Sequence, residues 1–425
     1  MVLPEGHRRN LAGEMTAAGP SNEVIHRGIV SPRLKAGAFV MEGLNSLATT
    51  YFFYYVYFYT KQAYAFDARQ NFWMAAELGI VCAIGSFFGG KFAQKFGYFA
   101  SIRLGGAIMT ACFLIGSQIN AMWLTVLFFN IGTIGMCFTW AALQALVSEG
   151  EPPMRLQSMI GIYNVTWAAT GAFAYFTGGA MMDHWGLRAM FYVPAGLLII
   201  QLILGYWLQK QVEREPVRTV DVAQPIIRAV SEQQISPVSP KTFLLMAWVA
   251  NPFAYLAANT VISVTPSLAG HLNLTPKIAG FVYSVWMFAR AGSFAFLRLW
   301  PKWHYRFRFL AGAYAAMVLC FGLILFVSQL WLLLLAELGL GFGLALIYYS
   351  SLFYSMDVGE TKGEHGGIHE AAIGAGSGFG PAIAACALTV FPNQPASSTW
   401  AVVALLLVGL GLLFWMRFRR SESSL

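Results

Sequence analysis

The sequence predicts an all-α integral membrane protein in which twelve transmembrane helices form two six-helix bundles. Three observations carry that reading. Of the 425 residues, 57% are hydrophobic and only 11% are charged, against about 25% charged in soluble globular chains. The chain therefore lacks the polar groups needed to coat a water-facing surface. Apolar runs long enough to cross a bilayer, about 20 residues each, recur along nearly the whole chain. They fall into two sets of six on either side of one polar stretch. Soluble-enzyme and fibrous classes are excluded.

The first set of spans lies near 34–59, 70–94, 99–119, 121–147, 156–181 and 187–208. The second lies near 242–270, 277–299, 308–328, 330–355, 366–391 and 398–417. Backbone in oil must satisfy its hydrogen bonds within its own segment, so each span reads as a helix. The alternating pattern of a membrane barrel is absent. Residues 1–32 form a polar tail without an apolar leader core, so the first span is expected to be an uncleaved helix. Residues 209–241 are charged and proline-bearing and read as a cytoplasmic linker, and 419–425 as a short cytoplasmic tail. That leaves 33–208 and 242–418 as the two bundles.

The net charge is +8, but the basic residues lie between the apolar runs rather than on one exposed patch. They therefore point to membrane orientation and not to nucleic acid. With the N-terminus placed inside, Lys61, Arg69, Arg188 and Lys277 are the four outside cations and Arg290 lies within a span. The other 22 of the 27 Lys and Arg residues then fall on inner segments. Both termini are expected in the cytoplasm, with the chain in the cell (cytoplasmic or inner) membrane. Cys82, Cys112, Cys137, Cys320 and Cys386 all sit inside apolar runs without paired spacing. They read as small packing residues, and no metal or cofactor is expected.

Six plus six helices with both ends inside suit a transporter built from two structural repeats. The sequence resembles the major facilitator superfamily over residues 33–418. After the second span, Gly90-Lys91-Phe92-Ala93-Gln94-Lys95-Phe96-Gly97 stands where the family carries its loop motif. Gly90, Lys95 and Gly97 match it, and Gln94 replaces the usual Asp. The corresponding loop of the second half, Arg298 to Arg306, keeps basic charge but loses the glycines. Gly374, Gly376, Gly378, Gly380 and Pro381 resemble the Gly/Pro-rich eleventh helix of many members. Asn130 occupies the region where many proton-coupled members carry a fourth-span arginine. The resemblance implies a two-fold helical architecture and a cavity lined by the first, fourth, seventh and tenth helices.

Charge inside a span costs about 2.5–3.5 kcal/mol per Asp, Lys or Arg on insertion scales, so embedded ionisable residues are the first candidates for function. They are Glu42, Glu77, Arg290, Glu337, His369 and Glu370. Glu42, Asn45, Ser46 and Thr49 share one helical face of the first span. In the light of the resemblance, that face is placed at the solute or a proton; the alternative is an interhelical hydrogen bond that fastens packing. On the seventh span, Asn251, Tyr255 and Asn259 follow at steps of four, with Pro252 and Pro266 freeing backbone groups nearby, which reads as a solute-contact face; the alternative is that the amides bridge helices and the prolines only kink. On the tenth, Glu337, Gly341 and Tyr348 share a face, and Glu337 reads equally as a coupling group or as an outer gate or packing group. Arg290 requires an anionic partner, either a carboxylate of its own half (Glu337 or Glu370) or an anionic solute. Glu77 carries the same ambiguity in the first half.

His365 and His369 stand four apart, but Gly366-Gly367 weakens a helix there and no third ligand is fixed. A hydrated helix start is the plain expectation, with a protonatable His369–Glu370 pair as the functional one. The aromatic run Tyr51 to Tyr59 reads first as an interfacial belt; the alternative is that some of its rings face the outer vestibule and stack on a flat or ring-shaped solute. Tyr163, Asn164 and Trp167 on the fifth span are a further solute-contact set.

The sequence thus predicts a secondary active transporter working by alternating access on a small organic solute, with protons as the expected coupling ion. No P-loop is present to use ATP. A monomer in the lipid bilayer is expected. The alternative class is a polytopic membrane enzyme or a solute sensor, but no GxSxG or HExxH motif and no separate output domain is seen.

Overall fold

The computed structural model describes residues 31–148, 153–214, 239–358 and 362–419. Most of the polar tail, most of the linker and the last six residues lie outside this set, as does the side chain of His365. Within it the secondary structure is helical, and each predicted span is met by a helix or a helix pair. The first bundle holds α1 (Pro32–Phe53), α2 (Val56–Tyr64), α3 (Ala68–Phe96), α4 (Tyr98–Gly116), α5 (Met122–Ser148), α6 (Pro153–Trp185) and α7 (Ala189–Val212). The second holds α8 (Pro240–His271), α9 (Pro276–Tyr283), α10 (Val285–Leu299), α11 (Phe307–Phe326), α12 (Leu330–Val358), α13 (Lys362–Val390) and α14 (Ser397–Arg419).

Local chemistry sets several boundaries. Asp67 and Gln70 form a reciprocal capping box at the start of α3, with hydrogen bonds of 2.7 and 2.9 Å. Ser239 and Thr275 cap α8 and α9, each followed by a proline at the first helical position. Gly97 joins α3 to α4 with φ +91°, a left-handed backbone region that side chains disfavour. That requirement accounts for the last glycine of the loop motif.

Ten helical spans are long and apolar enough to cross a membrane on length and composition alone. Among the described residues, the two that fall short are the α1–α2 pair and α6. Large apolar side chains such as Ile80, Ile84, Phe88, Trp123, Ile203 and Leu319 are exposed on the outer surface. Hydrocarbon supplies their surroundings.

Two spans are broken. The first divides at Tyr54–Tyr55 and the eighth at Ser284. Contrary to the expectation of an interfacial belt, Tyr51, Phe52, Tyr55, Tyr57, Phe58 and Tyr59 are buried. The break turns these rings inward, where Tyr54 stacks on Tyr175 at 4.6 Å and the Tyr55 hydroxyl donates to the Tyr175 carbonyl.

The bundles meet mainly along α3 against α13 and along α6 against α9 and α10. Glycines permit the first contact: a Cβ on Gly374 would lie 2.7 Å from the Ala83 Cα, and one on Gly79 would lie 2.7 Å from the Ser377 carbonyl carbon. Gly90 of the loop motif continues the seam, facing Gly367. Without a hydrophobic driving force between helices in lipid, such close backbone approach is what holds them together.

Candidate functional site

Between the bundles lies a cavity of about 150 Å³ lined by both. At the end of the molecule carrying Pro32 and Arg419, here the terminal end, Arg298 of α10 reaches across to donate to Ser158 of α6 at 3.1 Å. Also on that side, Gln144 of α5 donates to the carboxylate of Glu370 on α13. At the opposite end, Lys61 of α2 donates to the Pro266 carbonyl of α8 at 2.6 Å, and Gly179 of α6 packs on the Pro276 backbone of α9. The bundles therefore touch on both sides of the cavity.

Ten of the residues singled out from the sequence line this space, Glu42, Ser46, Thr49, Tyr163, Trp167, Tyr255, Asn259, Arg290, Tyr348 and Glu370, and Tyr54 and Tyr57 of the aromatic run join them. Glu42 is 1% exposed, and one of its oxygens accepts from Ser46 at 2.8 Å while the other has no partner. It lies within electrostatic reach of Glu370, so one carboxyl from each bundle faces the same cavity. Asn259 donates to Ser377 at 2.8 Å.

Arg290 is 2% exposed and sits among aromatic rings. Its guanidinium carbon lies 4.6 Å from the Trp167 ring centre, 5.0 Å from Tyr348 and 5.3 Å from Tyr255. One terminal nitrogen donates to the Tyr255 hydroxyl at 2.9 Å, and Nε has no partner. Among the described residues no carboxylate oxygen lies within 4.0 Å of it. Ring contacts worth about 0.5–2 kcal/mol offset only part of the cost of a bare cation in oil, about 2.5–3.5 kcal/mol.

The other seven candidates lie off the cavity. Asn45 points to α7, where Gln201 donates to it at 3.4 Å. Asn164 accepts from its own helical neighbour Trp167 at 3.3 Å, and Asn251 is buried with both amide atoms unpartnered. Glu77 is exposed on the outer face of α3 and takes a 2.9 Å hydrogen bond from Asn130. That pairing lets a carboxyl and an amide share an outward-facing position instead of reaching the solute space. His369 bonds through Nδ1 to Ser351 at 3.0 Å.

Glu337 is fully buried between α10 and α12, and it accepts from the Trp286 backbone N–H at 3.2 Å. The break at Ser284 strips the first turn of α10 of intrahelical acceptors, and Glu337 supplies one. It thereby fixes the segment that presents Trp286 and Arg290 to the cavity. Neither of the partners expected for Arg290 in its own half is in contact with it.

Gln144 and Trp286 were not singled out from the sequence, yet both line the cavity. An amide near the end of the fourth span was a visible signal for the first. Trp286 reads as ordinary apolar sequence, and its buried Nε1 without a partner shows only in three dimensions. Of the loop motif, Gly90 lies on the seam and Gly97 in the turn, whereas Gln94 is exposed and Lys95 lies over the Phe96 ring at 5.2 Å.

The family model of the Major Facilitator Superfamily matches residues 38–381. Among curated proteins no sequence matches. Solved structures share the fold at low identity. The human organic anion transporter MFSD10 (TETRAN) aligns with a TM-score of 0.66 and 13% identity, covering 90% of this chain and 99% of its own. A mutant of the nucleoside transporter NupG aligns at 0.63 and 13%, covering 91% and 98%. A bacterial homologue of the human lysosomal transporter Spinster, inward-facing and unoccupied, aligns at 0.63 and 13%, covering 92% and 96%.

Proposed function

We propose, from the premise that this chain belongs to the Major Facilitator Superfamily and is a membrane solute transporter, that it works by proton-coupled alternating access. The carrying observation is a carboxyl from each bundle at one cavity, Glu42 and Glu370, with Glu370 also tied across the interface to Gln144. A carboxylate accepts from Gln144 more strongly than a carboxylic acid does. A proton arriving at Glu370 therefore loosens one tie at the terminal end, and its departure restores it. Rocking of the bundles about the α3–α13 and α6–α10 contacts then exposes the cavity to each side in turn.

The solute-facing set is Thr49, Tyr163, Trp167, Tyr255, Asn259, Arg290 and Tyr348, with Glu42 and Glu370 as the proton carriers. The bias of basic residues toward inner segments favours cytoplasmic termini, which makes the terminal end the inner one. Residues 33–208 and 242–418 are the moving bodies and 209–241 their linker.

The test uses purified protein in liposomes and a solute selected from a metabolite panel by thermal shift. An imposed pH gradient should drive its accumulation, an interior pH dye should report proton movement with it, and a proton ionophore should abolish both. Solute flux indifferent to the pH gradient would contradict proton coupling.

A further inference from the structure

We infer that the solute is a compact organic monoanion, a carboxylate or sulfonate joined to a flat unsaturated body, whose anionic group is held by Arg290 and Trp286. This rests on reading the cavity as the solute site. Arg290 and Trp286 stand four residues apart on α10, on one helical face, and both line the cavity. They are 2% and 1% exposed, and each carries an N–H without a partner, Nε of Arg290 and Nε1 of Trp286. A buried donor left unpaired is costly. Two of them one turn apart, one cationic, fit the oxygens of an anionic head. Arg290 is steered by rings and a tyrosine hydroxyl rather than neutralised by a protein carboxylate, which keeps its charge available.

The remaining walls set the rest of the molecule. Tyr54, Tyr57, Trp140, Tyr163, Trp167 and Tyr348 make much of the remaining wall aromatic, and a cavity of this volume is of the size that holds one six-membered ring. A second negative charge on the solute would meet Glu42 and Glu370 in the same space, so one charge is the match.

Proton and anion are then linked. Glu370 lies within electrostatic reach of Arg290, so its negative form competes with the solute for the guanidinium. Among the described residues, the other titratable groups around Glu370 are Glu42 on α1, Cys137 on α5, Tyr163 on α6, Tyr255 on α8, Tyr348 on α12 and His369 beside it on α13. Tyrosine and cysteine ordinarily stay neutral around neutral pH. Protonation of Glu370 removes the competing charge, so anion affinity rises as pH falls and the two bind together.

The test is calorimetric titration of the purified full-length protein in detergent, at a lower and a higher pH around neutrality. Benzoate, phenylacetate and benzenesulfonate are compared with benzamide, phenylacetamide and benzylamine. At least one anion should bind about tenfold or more tightly than the neutral amides, a gap of about 1.4 kcal/mol, and more tightly at the lower pH. Trp286→Phe keeps an aromatic ring but removes the donor, and should weaken the anion several-fold more than it weakens the amides; an equal loss for both would count against the donor role. Arg290→Lys and Arg290→Gln should erase the preference progressively, and the Trp286 variant keeps the test decisive where an Arg290 variant does not fold. Equal binding of amides, tightest binding of benzylamine, or an unchanged preference in folded Arg290→Gln would overturn the assignment. Because the titration needs no gradient, anion binding without proton movement sinks the coupling alone. Proton-driven flux of a neutral or cationic solute sinks the anion alone.

Discussion

Replacing Glu370 with Gln is expected to abolish uphill transport while sparing downhill exchange. One proton moved per solute converts each pH unit of gradient, about 1.4 kcal/mol, into about tenfold accumulation of the solute. Glutamine cannot carry that proton, so accumulation in the variant should fall to unity at any gradient. The amide nearly preserves the shape of the carboxyl facing Gln144, so the fold and the solute-facing wall remain. Exchange of labelled for unlabelled solute should therefore continue within a few-fold of the wild type. Glu42→Gln is the companion: loss of accumulation there too places the proton on the pair, whereas normal accumulation places it on Glu370 alone. Glu370→Gln vesicles that still accumulate solute would remove Glu370 from the coupling step.

Gly374→Leu is expected to abolish flux altogether. A Cβ at that position would already lie 2.7 Å from the Ala83 Cα, and leucine adds three more carbons. Backbone on the facing helix offers no side chain to move aside, so α3 and α13 must separate. Overpacking of this kind costs about 1–3 kcal/mol. That loss leaves the cores of the two bundles intact but removes their shared seam. Gly312→Leu on α11 is the matched control, because a Cβ there meets nothing within 4 Å. Transport near background for Gly374→Leu with wild-type transport for Gly312→Leu is the expected pair, each in protein that elutes as a single species. Equal activity in both would show that the glycine seam does not govern closure.

Much of the architecture could be read from the sequence because hydrocarbon imposes length and polarity on every span. The breaks could not. Neither Tyr54–Tyr55 nor Ser284 carries a proline, and the carboxyl that serves the second break, Glu337, lies about fifty residues further along the chain. The candidate site was half legible for a geometric reason. A polar stripe spaced at three and four residues covers a wide arc of helix, and the cavity sees only one edge of it. Glu42, Ser46 and Thr49 face the cavity while Asn45, on the same stripe, turns to α7. Embedded charge was a mixed guide: Arg290 and Glu370 reach the cavity, but Glu77 pairs with Asn130 on the outer face. The belt reading of the aromatic run near Tyr55 failed because rings suit a lipid interface and a buried inter-bundle contact equally well by composition, whereas the alternative of rings facing the solute space agrees with Tyr54 and Tyr57 in the cavity wall.

The most direct test is a pair of spin-label distances across the two ends of the molecule. Labels at Gln94 and Lys302 span the bundles at the terminal end, and labels at Gln118 and His271 span them at the opposite end; all four positions are exposed. Alternating access predicts that conditions lengthening one distance shorten the other, with solute and pH shifting the balance between the two populations. Distances that stay fixed, or that lengthen together, would contradict it.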